Sequence, residues 1–202
     1  MELKGDDLAC ERGGRQVFAG LSFRLASGGM LALRGPNGAG KTSLLRMIAG
    51  LVEPAHGSLV LSGGNPDCTL AQQCHLIAHQ EAQKPVLTVE ENLAFWGSFY
   101  GSGDVRRALD AFELTALADL PAALLSAGQR RRLALSRLAL VERPIWLLDE
   151  PTTALDATSQ MRLARLMGDH LAQGGLIVVA THVDLVVKAN VVLDFEQLRR
   201  AA

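Results

Sequence analysis

Residues 35–43 read GPNGAGKTS, and the four before them, Leu31-Ala32-Leu33-Arg34, form an apolar run of strand type. With the helix-forming stretch from Lys41 to Leu51 they match the strand–GxxxxGK[ST]–helix pattern, in the context where that pattern binds phosphate. Gly35, Gly38 and Gly40 let backbone N–H groups curl around an anion in conformations that a side chain would obstruct. Lys41 is placed to reach the β- and γ-phosphates, and the helix N-terminus adds partial positive charge. The hydroxyl of Thr42 suits Mg²⁺. Gly35, Pro36, Asn37, Gly38, Ala39, Gly40, Lys41, Thr42 and Ser43 are therefore the expected cradle for the phosphates of ATP, with Mg²⁺ as its companion.

Outward from the loop, strand and helix patterns alternate, which favours an α/β fold with a largely parallel sheet. Gly50 and Pro54 bracket the end of the first helix, and Ile145 to Leu148 and Leu176 to Ala180 are further short strands. The stretch from about 84 to 143 is different, being helical by pattern with no convincing strand. Thr88 and Glu91 make a capping box, Gly103 or Asp104 opens a second helix, and Pro121 precedes a third from Ala127 to Glu142. This predicts one domain over 1–202 with a helical subdomain inserted at about 84–143.

At 202 residues and 49% hydrophobic composition, the chain has material for a sizeable core without disulfides. A net charge of −1 argues against nucleic-acid binding by counterion release. Cys10, Cys68 and Cys74 are an odd set at irregular spacing, as for free thiols in a reducing compartment. No apolar run is long enough to span a bilayer and the N-terminus lacks a signal core, so the chain is expected to be cytosolic.

A second set of residues completes the chemistry. WLLDEP at 146–151 places Asp149 and Glu150 directly after a strand. Asp149 offers the carboxylate oxygen that a hard cation prefers, and Glu150 is placed to take a proton from an attacking water. At 124–140, LLSAGQRRRLALSRLAL puts Ser126 at a helix N-cap and Gly128 in the first turn, a helix start that is itself an anion site. Alone, that segment reads as a capped surface helix with a solvated Arg130-Arg131-Arg132 face; the accompanying motifs decide against that reading.

Leu125-Ser126-Ala127-Gly128-Gln129 resembles the LSGGQ signature of the ATP-binding cassette (ABC) ATPases. The resemblance runs from Leu3 to about Phe195 and extends to other motifs in order. Gln80 matches the Q-loop glutamine that touches Mg²⁺ and the attacking water, Thr153-Ala154-Leu155-Asp156 the D-loop, and His182 the switch histidine that contacts the γ-phosphate. It implies a P-loop NTPase of ABC-ATPase type: a mainly parallel sheet core, an antiparallel N-terminal β part and the inserted helical subdomain. It further implies that Ser126, Ala127, Gly128 and Gln129 act in trans, completing the phosphate site of a second copy. One phosphate loop and one signature per chain then predict a homodimer with two sandwiched ATPs. The catalytic set is Glu150, His182, Gln80 and Lys41, and the Mg²⁺ ligands are Thr42, Gln80 and Asp149.

The family usually stacks an aromatic ring on adenine near the positions held here by Glu11 and Arg12. The Arg12 guanidinium face, at about 0.5–2 kcal/mol, is the candidate substitute, with Phe18 less well placed, and weak base selectivity is expected. Cys68, Cys74, His75 and His79 do not spell a haem-attachment motif and are read as unrelated to a metal site. Phe95, Trp96, Phe99 and Tyr100 share a helical face that is either subdomain core or a docking surface for a membrane subunit.

Within the family, CERGGRQVFAGLSF, LTVEENLAFW and LSAGQRRRLALSRL look like the ATPases of bacterial cytochrome c maturation. That subfamily implies a CcmB-like membrane subunit, further maturation proteins, and ATP use in haem handling by release of a haem-loaded chaperone. It also implies a peripheral place on the cytoplasmic face of the bacterial inner membrane. The ATPase of another small-molecule or lipid exporter, and a soluble non-transport ABC ATPase, stay open as alternatives.

Overall fold

The computed structural model describes residues 1–196. The chain begins with two long strands, β1 (Glu2–Arg12) and β2 (Arg15–Ala26), paired as an antiparallel hairpin; β4 (His56–Ser62) joins the other edge of β1. Leu3, Leu8, Cys10, Leu21, Phe23 and Leu25 are buried on one side of this small sheet.

The second sheet is parallel, in the order β5-β6-β7-β3-β8, with β3 (Met30–Arg34), β5 (Cys74–Ile77), β6 (Ile145–Asp149), β7 (Leu176–Ala180) and β8 (Val191–Asp194). Its three central strands, β6, β7 and β3, are buried almost throughout, which explains their continuous apolar runs in place of alternation. Alternate residues still serve opposite faces. Leu31, Leu33, Leu147 and Val178 pack with the antiparallel sheet and with α1 (Lys41–Ile48). Met30, Ala32, Leu148 and Val179 face the remaining helices: α2 (Val89–Phe99), α3 (Val105–Ala111), α4 (Ala127–Leu140) and α5 (Ala157–Ala172).

The fold class agrees with the sequence reading, and the differences lie at helix ends. Helix α1 stops at Ile48 instead of running to Leu51, because Gly50 N–H and Leu51 N–H turn back to the carbonyls of Met47 (3.0 Å) and Arg46 (2.8 Å). Helix α4 ends at Leu140, two residues short of the expected Glu142. Between β5 and β6 all named elements are helical, and the Thr88–Glu91 capping box and the Asp104 N-cap form as predicted.

His75, on β5, is fully buried, its Nε2 lying 2.8 Å from the Val141 carbonyl and its ring edge-on to Tyr100. Burial pushes this imidazole down to about 4. In the unfolded chain it takes up a proton near 6.5, so the unfolded state binds more protons between those values. The stability it contributes is therefore complete above pH 6.5 and is lost as pH falls toward 4, by about 3 kcal/mol. Thermal melts across that range are expected to show a steep acid fall in wild type and a flatter profile in His75→Gln, which keeps a donor for Val141 but does not titrate. Parallel profiles would contradict the assignment.

Candidate functional site

The site lies at the C-terminal ends of the parallel strands, where β3, β6 and β7 deliver their following loops to one place. After β3 the chain turns through Gly35–Gly40 into α1. Gly40, the N-cap, has φ +113°, and a Cβ there would lie 2.8–2.9 Å from Phe18 and Val17 side-chain carbons, so no other residue fits. The N-cap offers no side-chain acceptor, leaving the first-turn N–H groups of α1 to an incoming anion. Lys41 is buried, and its ammonium donates to the carbonyls of Gly35 (2.6 Å) and Pro36 (3.0 Å). Burial lowers its affinity for the proton, while the carboxylates of Glu150 and Asp149 act against that.

Thr42 is tied directly to the end of β6: its hydroxyl donates to Asp149 Oδ2 at 2.8 Å. Ser43, by contrast, turns its hydroxyl toward the buried Cys10 thiol, which burial holds above the ordinary thiol range. Glu150 follows Asp149 with φ +45°, a left-handed conformation that costs a non-glycine residue about 1–3 kcal/mol. Its N–H donates to the Ala180 carbonyl at the end of β7. Its carboxylate Oε1 is buried without a hydrogen-bond partner among the described residues, and His182 Nε2 stands 3.5 Å away.

His182 is the meeting point. Nε2 lies 2.9 Å from Asn37 Oδ1 and 3.3 Å from Lys41 Nζ, so it touches the phosphate loop as well as approaching Glu150. With a proton on Nε2 it donates to Asn37, and the ammonium of Lys41 keeps its own protons for the loop carbonyls. The segment carrying His182 is held by Arg34, which donates to the Thr181 carbonyl (3.3 Å) and pairs with Asp184 (2.7 Å).

Lys41, Thr42, Asn37, Asp149, Glu150 and His182 are thus brought together. Gln80 is not: it lies exposed in the bend after β5 and makes no side-chain hydrogen bond among the described residues. Ser126, Ala127, Gly128 and Gln129 open α4 at a separate place. Ser126 Oγ accepts from Gln129 N–H (3.2 Å), and Gln129 Oε1 accepts from Ser126 N–H (2.7 Å). Ser126 and Ala127 are exposed, which leaves room for the alanine methyl. A Cβ on Gly128 would lie 3.0 Å from the Ala154 carbonyl, so the glycine here allows a close approach to residues 153–156.

Phe18 is withdrawn as an adenine platform, because it is buried edge-on against Phe195 at 5.7 Å; Arg12 is exposed at the β1–β2 turn. The aromatic face of α2 divides. Trp96 and Tyr100 stack on each other and lie under the guanidinium groups of Arg137 (4.4 Å) and Arg143 (4.5 Å). Phe95 and Phe99 are exposed, at 40% and 69%. Cys74 and His75 are buried in β5, and no group of three or more His, Cys, Asp or Glu is gathered for a metal among the described residues.

Sequence reasoning missed Arg131. It reads as part of a solvated basic face, yet it is only 3% exposed. Its guanidinium donates to the carbonyls of Asp149 (2.8 Å), Glu150 (2.7 Å), Pro151 (3.3 Å) and Ala78 (3.0 Å). Helical phase is the signal available: Arg131 lies three residues before Ala134 and four before Leu135, both fully buried, on the side of α4 that turns to the sheet.

The profile of the ABC transporter family matches residues 18–153. The cytochrome c biogenesis ATP-binding export protein CcmA of Rhodopseudomonas palustris (strain BisB5) is 57% identical over 94% of this chain and 96% of its own. An ATP-binding subunit of an ABC transporter superposes with a TM-score of 0.82 at 29% identity, over 91% of this chain and 80% of that one. A dimeric ATP-binding cassette in a post-hydrolysis state, bound to ADP and Pi, gives a TM-score of 0.75 at 25% identity, over 90% of this chain and 88% of that one.

Proposed function

The chain belongs to the ABC transporter family, and from that premise we propose that it is the ATP-hydrolysing subunit of a membrane complex serving cytochrome c biogenesis. The observation that carries the enzymatic part is the convergence of Lys41, Thr42, Asp149, Glu150 and His182 around one phosphate-binding loop. The cytochrome c part is supported by relatives such as the 57% identical protein named for that process.

ATP lies with its phosphates over residues 35–43, where Lys41 exchanges loop carbonyls for phosphate oxygens. The donor set of Thr42 hydroxyl and Asp149 carboxylate is all oxygen and fits Mg²⁺, and the side-chain carbonyl of Gln80 would add a third oxygen of the same kind. Thr42 and Asp149 would hold Mg²⁺ there, which would supply neutralisation of phosphate charge. Glu150 accepts the proton of the attacking water on its part-exposed carboxylate, and His182 holds the γ-phosphate against Asn37 and Lys41. Catalysis of this kind rests on positioning and charge stabilisation.

The exposed start of α4 is supplied to a second copy, so that Ser126 and Gly128 of each subunit close the other's site in a homodimer holding two ATPs. The chain acts as one ATP-binding domain, 1–202, in which about 84–143 is the helical subdomain. Exposed Phe95, Phe99 and Val86 support docking of an integral, CcmB-like membrane subunit on that subdomain. No helix among the described residues is long and apolar enough to cross a membrane, which suits a peripheral place on the cytoplasmic face of the bacterial inner membrane. ATP use there powers haem handling by release of a haem-loaded chaperone.

Deletion of the protein is expected to abolish c-type cytochromes, with recovery on return of wild type but not of Lys41→Ala. Purification from detergent-solubilised membranes is expected to bring down a membrane subunit. Normal cytochromes with a different membrane partner would point to another exporter, and no membrane partner to a soluble ABC ATPase.

A further inference from the structure

Four backbone carbonyls in two separate pieces of the site converge on one guanidinium. Asp149, Glu150 and Pro151 form the turn that presents the acidic pair, and Ala78 is the first residue after β5, at the root of the segment that carries Gln80. Arg131 itself is the fifth residue of α4, one turn from the Ser126 N-cap. Its planar fork, with five N–H donors, is suited to hold several carbonyls at fixed angles, which the compact ammonium of a lysine is not. The Glu150 carbonyl accepts at 2.7 Å from Arg131, while the Glu150 N–H is held 2.9 Å from Ala180. The left-handed backbone at Glu150 is therefore gripped from both sides, its carbonyl also accepting from Thr153 N–H at 3.3 Å, and Arg131 makes the shortest of these three bonds.

We propose that Arg131 is a positioning residue for hydrolysis: it fixes the Glu150 turn and ties that turn, with the root of the Gln80 segment, to the helix whose first turn faces the partner subunit. Displacement of α4 as two copies close on ATP is then passed to the Glu150 turn through the Arg131 guanidinium and the carbonyls it holds. The proposal rests on Glu150 acting as the base. Burial disfavours the charge of this guanidinium, and the carboxylates of Glu81, Asp149 and Glu150 offset that, so the cation is kept where three acids surround it.

The test is a cycle of Arg131→Gln, Glu150→Gln and the double variant, read by ATP affinity and by single-turnover hydrolysis. Arg131→Gln is expected to bind ATP within about twofold of wild type and to lower kcat roughly 10²-fold, the cost of a displaced catalytic group. In the Glu150→Gln background the same change is expected to add little, because the group it positions is already gone. Arg131→Lys, which retains charge and fewer carbonyl contacts, is expected to fall between wild type and Gln, and it carries the same reading if the Gln variant does not fold. Wild-type kcat in either folded variant, a loss expressed in ATP affinity alone, or a full additional loss in the double variant would overturn the proposal. Near-normal turnover in Glu150→Gln alone would instead remove the reading of Glu150 on which it rests.

Discussion

Glu150→Gln is expected to bind ATP and to accumulate as an ATP-held dimer while hydrolysing it roughly 10²- to 10⁴-fold more slowly than wild type. The substitution keeps the size of the side chain, and the backbone grips at Glu150 N–H and C=O do not depend on the carboxylate. What is lost is the basic carboxylate, whose Oε1 stands 3.5 Å from His182 Nε2. Steady-state phosphate release and size-exclusion chromatography with and without ATP check both halves. Turnover within a few-fold of wild type would remove Glu150 as the base.

Lys41→Ala is expected to fail earlier, at binding. Its ammonium is seated on the loop carbonyls of Gly35 and Pro36, 3.3 Å from His182 Nε2, and alanine removes that buried charged donor. Loss of such a charged donor facing the phosphates is worth roughly 10²- to 10³-fold in kcat/KM. Nucleotide titration distinguishes the two variants: affinity falls with Lys41→Ala and is kept with Glu150→Gln. The fold is expected to survive, since the Pro36 carbonyl also accepts from Ala39 N–H.

The parts of the molecule written in local chemistry were legible in the sequence. The Gly35–Ser43 loop, the caps at Thr88 and Ser126, and the acidic pair after β6 each depend on residues a few positions apart, so spacing alone exposes them. What stayed hidden depends on long-range geometry. That Asn37 meets His182 across 145 residues, or that Phe18 is locked under Phe195, follows from sheet order, with β3 seated between β7 and β8. Arg131 was concealed for a different reason: its neighbours Arg130 and Arg132 suggest a wet face, and only the burial of the sheet side of α4 separates the three. The aromatic cluster of α2 stayed divided for the same reason. Periodicity groups the four rings, whereas packing against Arg137 and Arg143 takes in only Trp96 and Tyr100.

The floor of the phosphate loop has an implication for synthesis. Gly35 lies against Phe195, whose Cβ would sit 3.0 Å from an added methyl, and the same ring edge backs Gly40 together with Phe18. A ribosome has therefore emitted the entire GxxxxGK[ST] motif long before the residue that shapes its underside exists. A ligand that binds only the finished fold stabilises only that fold, so a chain not yet translated through Phe195 is expected to gain less from ATP than the folded protein.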